Sequence, residues 1–258
     1  VTQGFTGKIG LAATNADDQS RTYYEYRQQY LRFAAVSGTT TITAGLGDGQ
    51  GARRVKFDML TCITTLIVHN TGIRNETDFP TLLLKGTNAS NQATVYKGDV
   101  GFAVVAGETT TLATLRCGTD SGSNVKVYCG SGVTLTTVIT VGTGNVTLQS
   151  NCTTLTMEGC FVDYVLGAPA TASVWSGTLI DRSSTTIGTA LSVGPTGVYD
   201  RSYDTRAKII TPKVSIYRGG KFLDPNATLT MTVGWQAMGC KDGDVVTDFG
   251  YNRNYSVS

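Results

Sequence analysis

The sequence predicts an all-β protein: a core that is either a short-rung β-solenoid or a β-sandwich, flanked by extended terminal segments. Three observations lead there. Apolar and polar residues alternate through the centre of the chain. The polar member is usually Thr, with Gly punctuating the runs. No stretch carries the apolar period of an amphipathic helix.

The stretch "NVKVYCGSGVTLTTVITVGTGNVTLQSNCTTLTMEGC", Asn124 to Cys160, shows the pattern best. Val125, Val127 and Cys129 fall on one face, Lys126 and Tyr128 on the other. Val133, Leu135, Ile139 and Val141 share a face opposed by Thr134, Thr136 and Thr140. Val146 and Leu148 follow, then Leu155 and Met157, with Thr147, Gln149, Thr154 and Thr156 between them. Successive side chains of a strand point to opposite faces, so this alternation predicts half-buried strands. Thr suits them because its branched Cβ favours an extended backbone. "CGSG", "GTGN" and "SNC" have turn compositions.

A repeat runs through the same region. Leu115, Leu135 and Leu155 sit in the similar strings "TLATLRC", "TLTTVIT" and "TTLTMEG". Val125 and Val146 recur at nearly the same interval, as do Val127 and Leu148. A period of about twenty residues predicts stacked coils, with Leu on Leu and Val on Val. A meander of tight hairpins in a sandwich is the alternative.

The rest of the chain divides around this core. Residues 1–50 form a contact arm, 51–194 the Thr/Gly-rich β core, and 195–258 a C-terminal β segment and tail. In the arm, "DDQSRTYYEYRQQYLRFAAV" is open to a strand or a short helix through Gln29, Tyr30 and Phe33. "KFDMLTCITTLIVHNTG" has the strongest continuous apolar pattern and predicts a fully buried strand. Short strands follow at "TLLLKG", "ATVYKG", "GFAVVAG", "FVDYVLG", "ASVWSGTLID" and "TTIGTALSV". Beyond Pro195 strands are expected at 208–210, 214–217 and 229–235. The N-terminus lacks both an initiator Met and the apolar core of a signal peptide.

Composition narrows the function. Net charge is +2 and charged residues are 16% of the chain, against about a quarter in typical domains. There is no basic stripe, and "ARRVK" at 52–56 reads as the solvated start of a strand, so no nucleic-acid partner is expected. No apolar run reaches the about 20 residues of a membrane span. The six Cys, at 62, 117, 129, 152, 160 and 240, match no metal spacing. They are expected to be buried free thiols rather than a disulfide framework. Six N-x-S/T acceptors, at Asn75, Asn88, Asn145, Asn151, Asn226 and Asn254, leave an extracellular origin open.

Candidate chemistry is sparse. A Ser-His-Asp or Cys-His site would need His69, the single His, which closes an apolar strand where a structural role is expected. Asp242, Asp244 and Asp248 lie around a Gly, but outside an EF-hand pattern, and predict an Asp-Gly turn. "GLGDGQG" precedes no helix and is no phosphate loop. Scattered carboxylates offer no legible pair for sugar cleavage. The chain is therefore expected to be non-enzymatic, with no catalytic residue, cofactor or metal.

"NVTLQSNCTTLTMEG" and "TLTTVITVGTGNV" resemble structural proteins of tailed phages, both capsid decoration (cement) proteins and tail or fibre components. The resemblance covers about half the chain. It implies a virion protein that assembles symmetrically, often as trimers, on a larger particle with other virion proteins, and it transfers no functional residue. A receptor- or glycan-binding fibre or adhesin, and a secreted filament or surface-layer subunit, are the extracellular alternatives. The intermolecular contacts are expected at the ends, where Tyr23, Tyr24, Tyr26, Arg27, Tyr30, Tyr251, Arg253 and Tyr255 cluster. Tyr and Arg are the side chains that most often dominate interface energy.

Overall fold

The computed structural model describes residues 31–32, 38–44, 55–58, 60, 63–70, 82–88, 91–120, 124–241, 243–247 and 250–251. None of these residues is helical. The strands are β1 (Leu31–Arg32), β2 (Thr39–Ala44), β3 (Val55–Asp58), β4 (Thr65–Asn70), β5 (Leu82–Thr87), β6 (Gln92–Phe102), β7 (Thr110–Cys117), β8 (Asn124–Cys129), β9 (Val133–Leu148), β10 (Cys152–Tyr164), β11 (Pro169–Asp181), β12 (Ala190–Asp200), β13 (Lys208–Ile210), β14 (Val214–Tyr217), β15 (Lys221–Asp224), β16 (Leu229–Met231), β17 (Trp235–Met238), β18 (Val245–Thr247) and β19 (Gly250–Tyr251).

All but two of these strands, β13 and β16, join in one 17-stranded sheet wound on itself, and those two pair with each other. Pairing is parallel throughout the described strands, from β1 on β3 to β15 on β18. The exception is β19, which runs antiparallel to β18. Parallel neighbours need a long return path, and here the return path is the rest of each coil. The fold is a β-solenoid. The sandwich alternative, which shares its alternation, is set aside by the parallel register.

The interior is made of columns, one side chain per coil. Leu66, Ala93, Leu115, Val138, Leu155, Ala172, Leu191 and Val214 are successive Cα partners along one arm. All are buried. Leu82, Val100, Val127, Val146, Val162, Leu179, Tyr199, Phe222 and Val245 form the matching column of the second arm, also buried. Each fully buried aliphatic side chain contributes about 1.5–3 kcal/mol. β12 runs through Gly194 and pairs with β11 on both sides of it, with a register shift opposite Gly194 and Pro195.

The register corrects the expected repeat. Leu115 and Leu155 both flank Val138, whereas Leu135 stands between Leu112 and Cys152. Leu135 is buried, as expected, but in a different column. The cause is a bend. Along β7, β9, β10 and β11 the inward residues jump by three, as Leu112 to Leu115, Leu135 to Val138, Cys152 to Leu155 and Pro169 to Ala172. An extra residue lets the strand turn while keeping apolar side chains inward. The same jump reverses the expected phase beyond Thr136. Thr140 points in and is buried, and Ile139 is only half-buried. Thr140 Oγ1 satisfies itself by donating to Gly159 O at 2.8 Å.

The next corner, between the two arms, is built on Gly. Gly142 and Gly159 are register partners. A Cβ on Gly159 would lie 2.2 Å from Gly142 O, and Gly159 has φ +156. The backbones approach more closely there than any side chain allows.

The apolar run beginning at Lys56 is not one fully buried strand. Its described part divides into β3 and β4, and in β4 Leu66 and Val68 are buried while Ile67 is half-buried and His69 exposed. A coil of this width has one interior, so one face of every strand meets solvent. Cys117, Cys129, Cys152 and Cys160 are free and buried, and Cys240 is free and half-buried. Cys62 lies outside the described residues.

Candidate functional site

Along its second arm the solenoid has another inward column: Leu84, Phe102, Cys129, Leu148, Tyr164 and Asp181. It begins apolar and ends charged. Asp200 pairs with Leu223, so the next residues, Arg201 and Asp224, take up the column above Asp181. The switch occurs where the following corner lengthens. Residues 149–151 suffice between β9 and β10, whereas 201–207 separate β12 from β13. The added chain opens space inside the corner, and charged side chains fill it.

Arg201 is the largest fully buried side chain described. Its Nε donates to Thr228 Oγ1 at 2.7 Å. Nη1 donates to Ser183 O at 2.8 Å and to Asp181 O at 3.2 Å, and Nη2 to Arg206 O at 2.5 Å. Its ion pairs are longer: 3.6 Å to Asp181 Oδ1 and 3.9 Å to Asp204 Oδ2. Asp224 Oδ1 accepts from Thr228 N and Oγ1, and Oδ2 from Leu229 N. The Asp224 carboxylate is thus satisfied by the corner's own backbone and hydroxyl donors, as burial demands.

Asp181 is the hub. Oδ1 accepts from Ser183 N at 3.0 Å and Oδ2 from Tyr199 Oη at 2.7 Å. Lys208 Nζ lies 2.5 Å from Oδ2, with both side chains sealed from solvent. This ion pair is the contact that Lys208 Nζ makes among the described residues. Burial pushes the Lys208 amine down, against the pull of Asp181. Burial, then the Asp181 charge, pushes the Tyr199 phenol well up. Asp204 is held below the usual carboxylate range, first by the hydrogen bonds from the Arg206 side chain. Arg206 is half-exposed and closes the network at the surface, reaching Asp204 Oδ2 at 2.7 Å and Arg182 O.

A groove runs along the outside of the same corner, crossing successive coils. Ser131, Val133, Thr134, Gln149, Ser150, Asn151, Gly167 and Thr185 line it, around a volume of about 490 Å³. The corner turns supply most of these residues, which is why hydroxyls and amides dominate and formal charge is absent. Asn151 Oδ1 is used to accept from Ala168 N at 2.9 Å, and Tyr164 Oη donates to Ser150 O at 2.7 Å. The groove ends at Thr185, whose N donates to Ser183 Oγ beside the charged network.

Of the expected contact residues, Tyr23, Tyr24, Tyr26, Arg27, Tyr30, Arg253 and Tyr255 lie outside the described residues. Tyr251 is described through its backbone, which pairs with Val246. His69 is exposed and stacks on Tyr96 at 4.8 Å. Asp244 closes a turn, accepting from Lys241 N at 2.7 Å, while Asp242 and Asp248 lie outside the described residues. Exposed apolar side chains include Phe161, Trp175 and Val233. Trp175 covers Gly194 and packs on Tyr217 at 5.4 Å. Neither the charged corner nor the groove was anticipated from the sequence. No family model, curated protein or solved structure matches the chain.

Proposed function

We propose that the chain is a non-enzymatic structural protein of a virion, of the capsid decoration type, acting through contacts with further copies and with other virion proteins. The observation that supports this reading is the unbroken parallel stack from β2 to β18. A rod whose coils are hydrogen-bonded to both neighbours resists bending and transmits load along its axis. Its outward strand positions include Thr134, Thr136, Thr143 and Thr153, all exposed. Such short, branched side chains have little rotamer freedom to lose on lasting contact. Exposed Phe161 and Trp175 supply larger anchors.

Sedimentation of the purified chain tests the reading. A defined homo-oligomer is expected, with the trimer as the reference case, together with recovery of the chain in purified particles. A monomer at every concentration, absent from particles, would sink it.

The groove favours a second reading, a glycan-binding fibre or adhesin outside the cell. Hydroxyl and amide side chains at Thr134, Gln149 and Thr185 match the donors and acceptors of a neutral sugar. Retention on immobilised neutral glycans, lost in Gln149→Ala with Thr185→Ala, is the expected result. Equal retention by the double variant removes this reading.

A further inference from the structure

We propose that Lys208 and Asp181 become joined by an intramolecular isopeptide bond, an amide between Nζ and the side-chain carbonyl carbon, formed by the folded chain on itself. The geometry carries it. Nζ lies 2.5 Å from Asp181 Oδ2, and neither side chain is more than 3% exposed. Held reactants of this kind gain the large advantage of an intramolecular encounter. The groups around them match the needs of the reaction. Ser183 N–H, at 3.0 Å, and the Arg201 guanidinium, at 3.6 Å, face Oδ1, where negative charge develops. Tyr199 Oη–H, at 2.7 Å, faces Oδ2, the oxygen that leaves. Burial favours the uncharged, nucleophilic form of the Lys208 amine.

The steps balance without an oxidant, reductant or cofactor. One ammonium proton passes to Oδ2 and leaves a neutral amine beside a carboxylic acid. The amine lone pair adds to the carbonyl carbon, placing charge on Oδ1. The bond from carbon to Oδ2 breaks as a second nitrogen proton is relayed to the departing hydroxyl, with Tyr199 holding that oxygen. Water departs and one proton stays on the amide nitrogen. Two buried charges are replaced by one neutral amide, which relieves the desolvation cost of a sealed ion pair. The bond would tie the end of β11 to the start of β13, clamping two consecutive coils at the charged corner. It stands independently of the virion reading.

Peptide mapping of the wild-type chain decides the matter. The expected intact mass is one water below that of the sequence. Trypsin should yield a branched peptide that joins residues 207–213 to the segment ending at Arg182, because a modified Lys208 resists cleavage. Lys208→Arg and Asp181→Ala should restore the full mass, and Tyr199→Phe should lower the cross-linked fraction. A wild-type chain of full mass, cleaved normally after Lys208, overturns the proposal. A mass loss with no branched peptide overturns it too, since cyclisation of an Asp onto its own backbone loses the same water. Should the variants fail to fold, the wild-type map alone gives the answer.

Discussion

Tyr199 and Phe222 are register partners in adjacent coils, and their rings stack at 4.9 Å with 10° between the planes. Both are fully buried. The pair couples the aliphatic column to the charged corner, because Tyr199 also donates to Asp181. Phe222→Ala should therefore cost about 3–5 kcal/mol, and Phe222→Leu clearly less. Urea denaturation of the two variants checks this. Equal, small losses would show that the stacking carries no weight.

The glycine corner predicts a contrast between two substitutions. Gly107 has φ +83 with open space around it, whereas a Cβ at Gly159 meets the Gly142 backbone. Gly107→Ala should cost only the left-handed penalty, about 1–2 kcal/mol. Gly159→Ala adds a backbone clash and should cost substantially more. Thermal unfolding of both variants measures the difference, and similar midpoints would mean that the corner relaxes freely.

Alkaline pH should weaken the fold through its buried thiols. Burial raises the Cys152 thiol from its ordinary 9.0 to about 11. Between those values the unfolded chain releases a proton that the folded chain keeps. Stability is therefore full below pH 9 and declines as pH rises towards about 11, by up to about 1.4 kcal/mol per pH unit for this group. Cys152→Ala should flatten the decline without abolishing it, since Cys117 is raised as well. Denaturation midpoints between pH 8 and 11, compared for the two chains, provide the check. Parallel curves would contradict it.

Deleting residues 1–30 should leave the far-ultraviolet spectrum of a strand protein and remove self-assembly. The Tyr and Arg residues of that segment carry the expected contacts. Sedimentation of the truncated chain is the measurement. An unchanged oligomer places the contact surface elsewhere, and an unfolded chain makes the segment part of the core.

The strands were legible because alternation is a local property. Val125, Val127 and Cys129 face inward as their spacing requires. Stacking was legible only as a period, because register depends on bends. One added residue near Thr136 moved Val138 into the place expected of Leu135, and no local signal marks such a bend among so many Thr. The charged corner was hidden for a related reason. Asp181-Arg182-Ser183 and Asp200-Arg201-Ser202 look like a repeat that would set Asp on Asp. The register instead pairs Ile180 with Asp200, which brings Arg201 over Asp181. A one-residue offset turned an apparent like-charge column into a compensated network. The groove was illegible because most of its residues come from four separate turns.

Val138, Leu155 and Ala172 recur at 17-residue intervals in a single column. Whatever lies between two of them is a complete circuit of the rod. Excising one circuit, or copying it, would return every following side chain to an equivalent neighbour. The rod is thus adjustable coil by coil, like links in a chain, and a lineage could lengthen or shorten it without inventing a new interior.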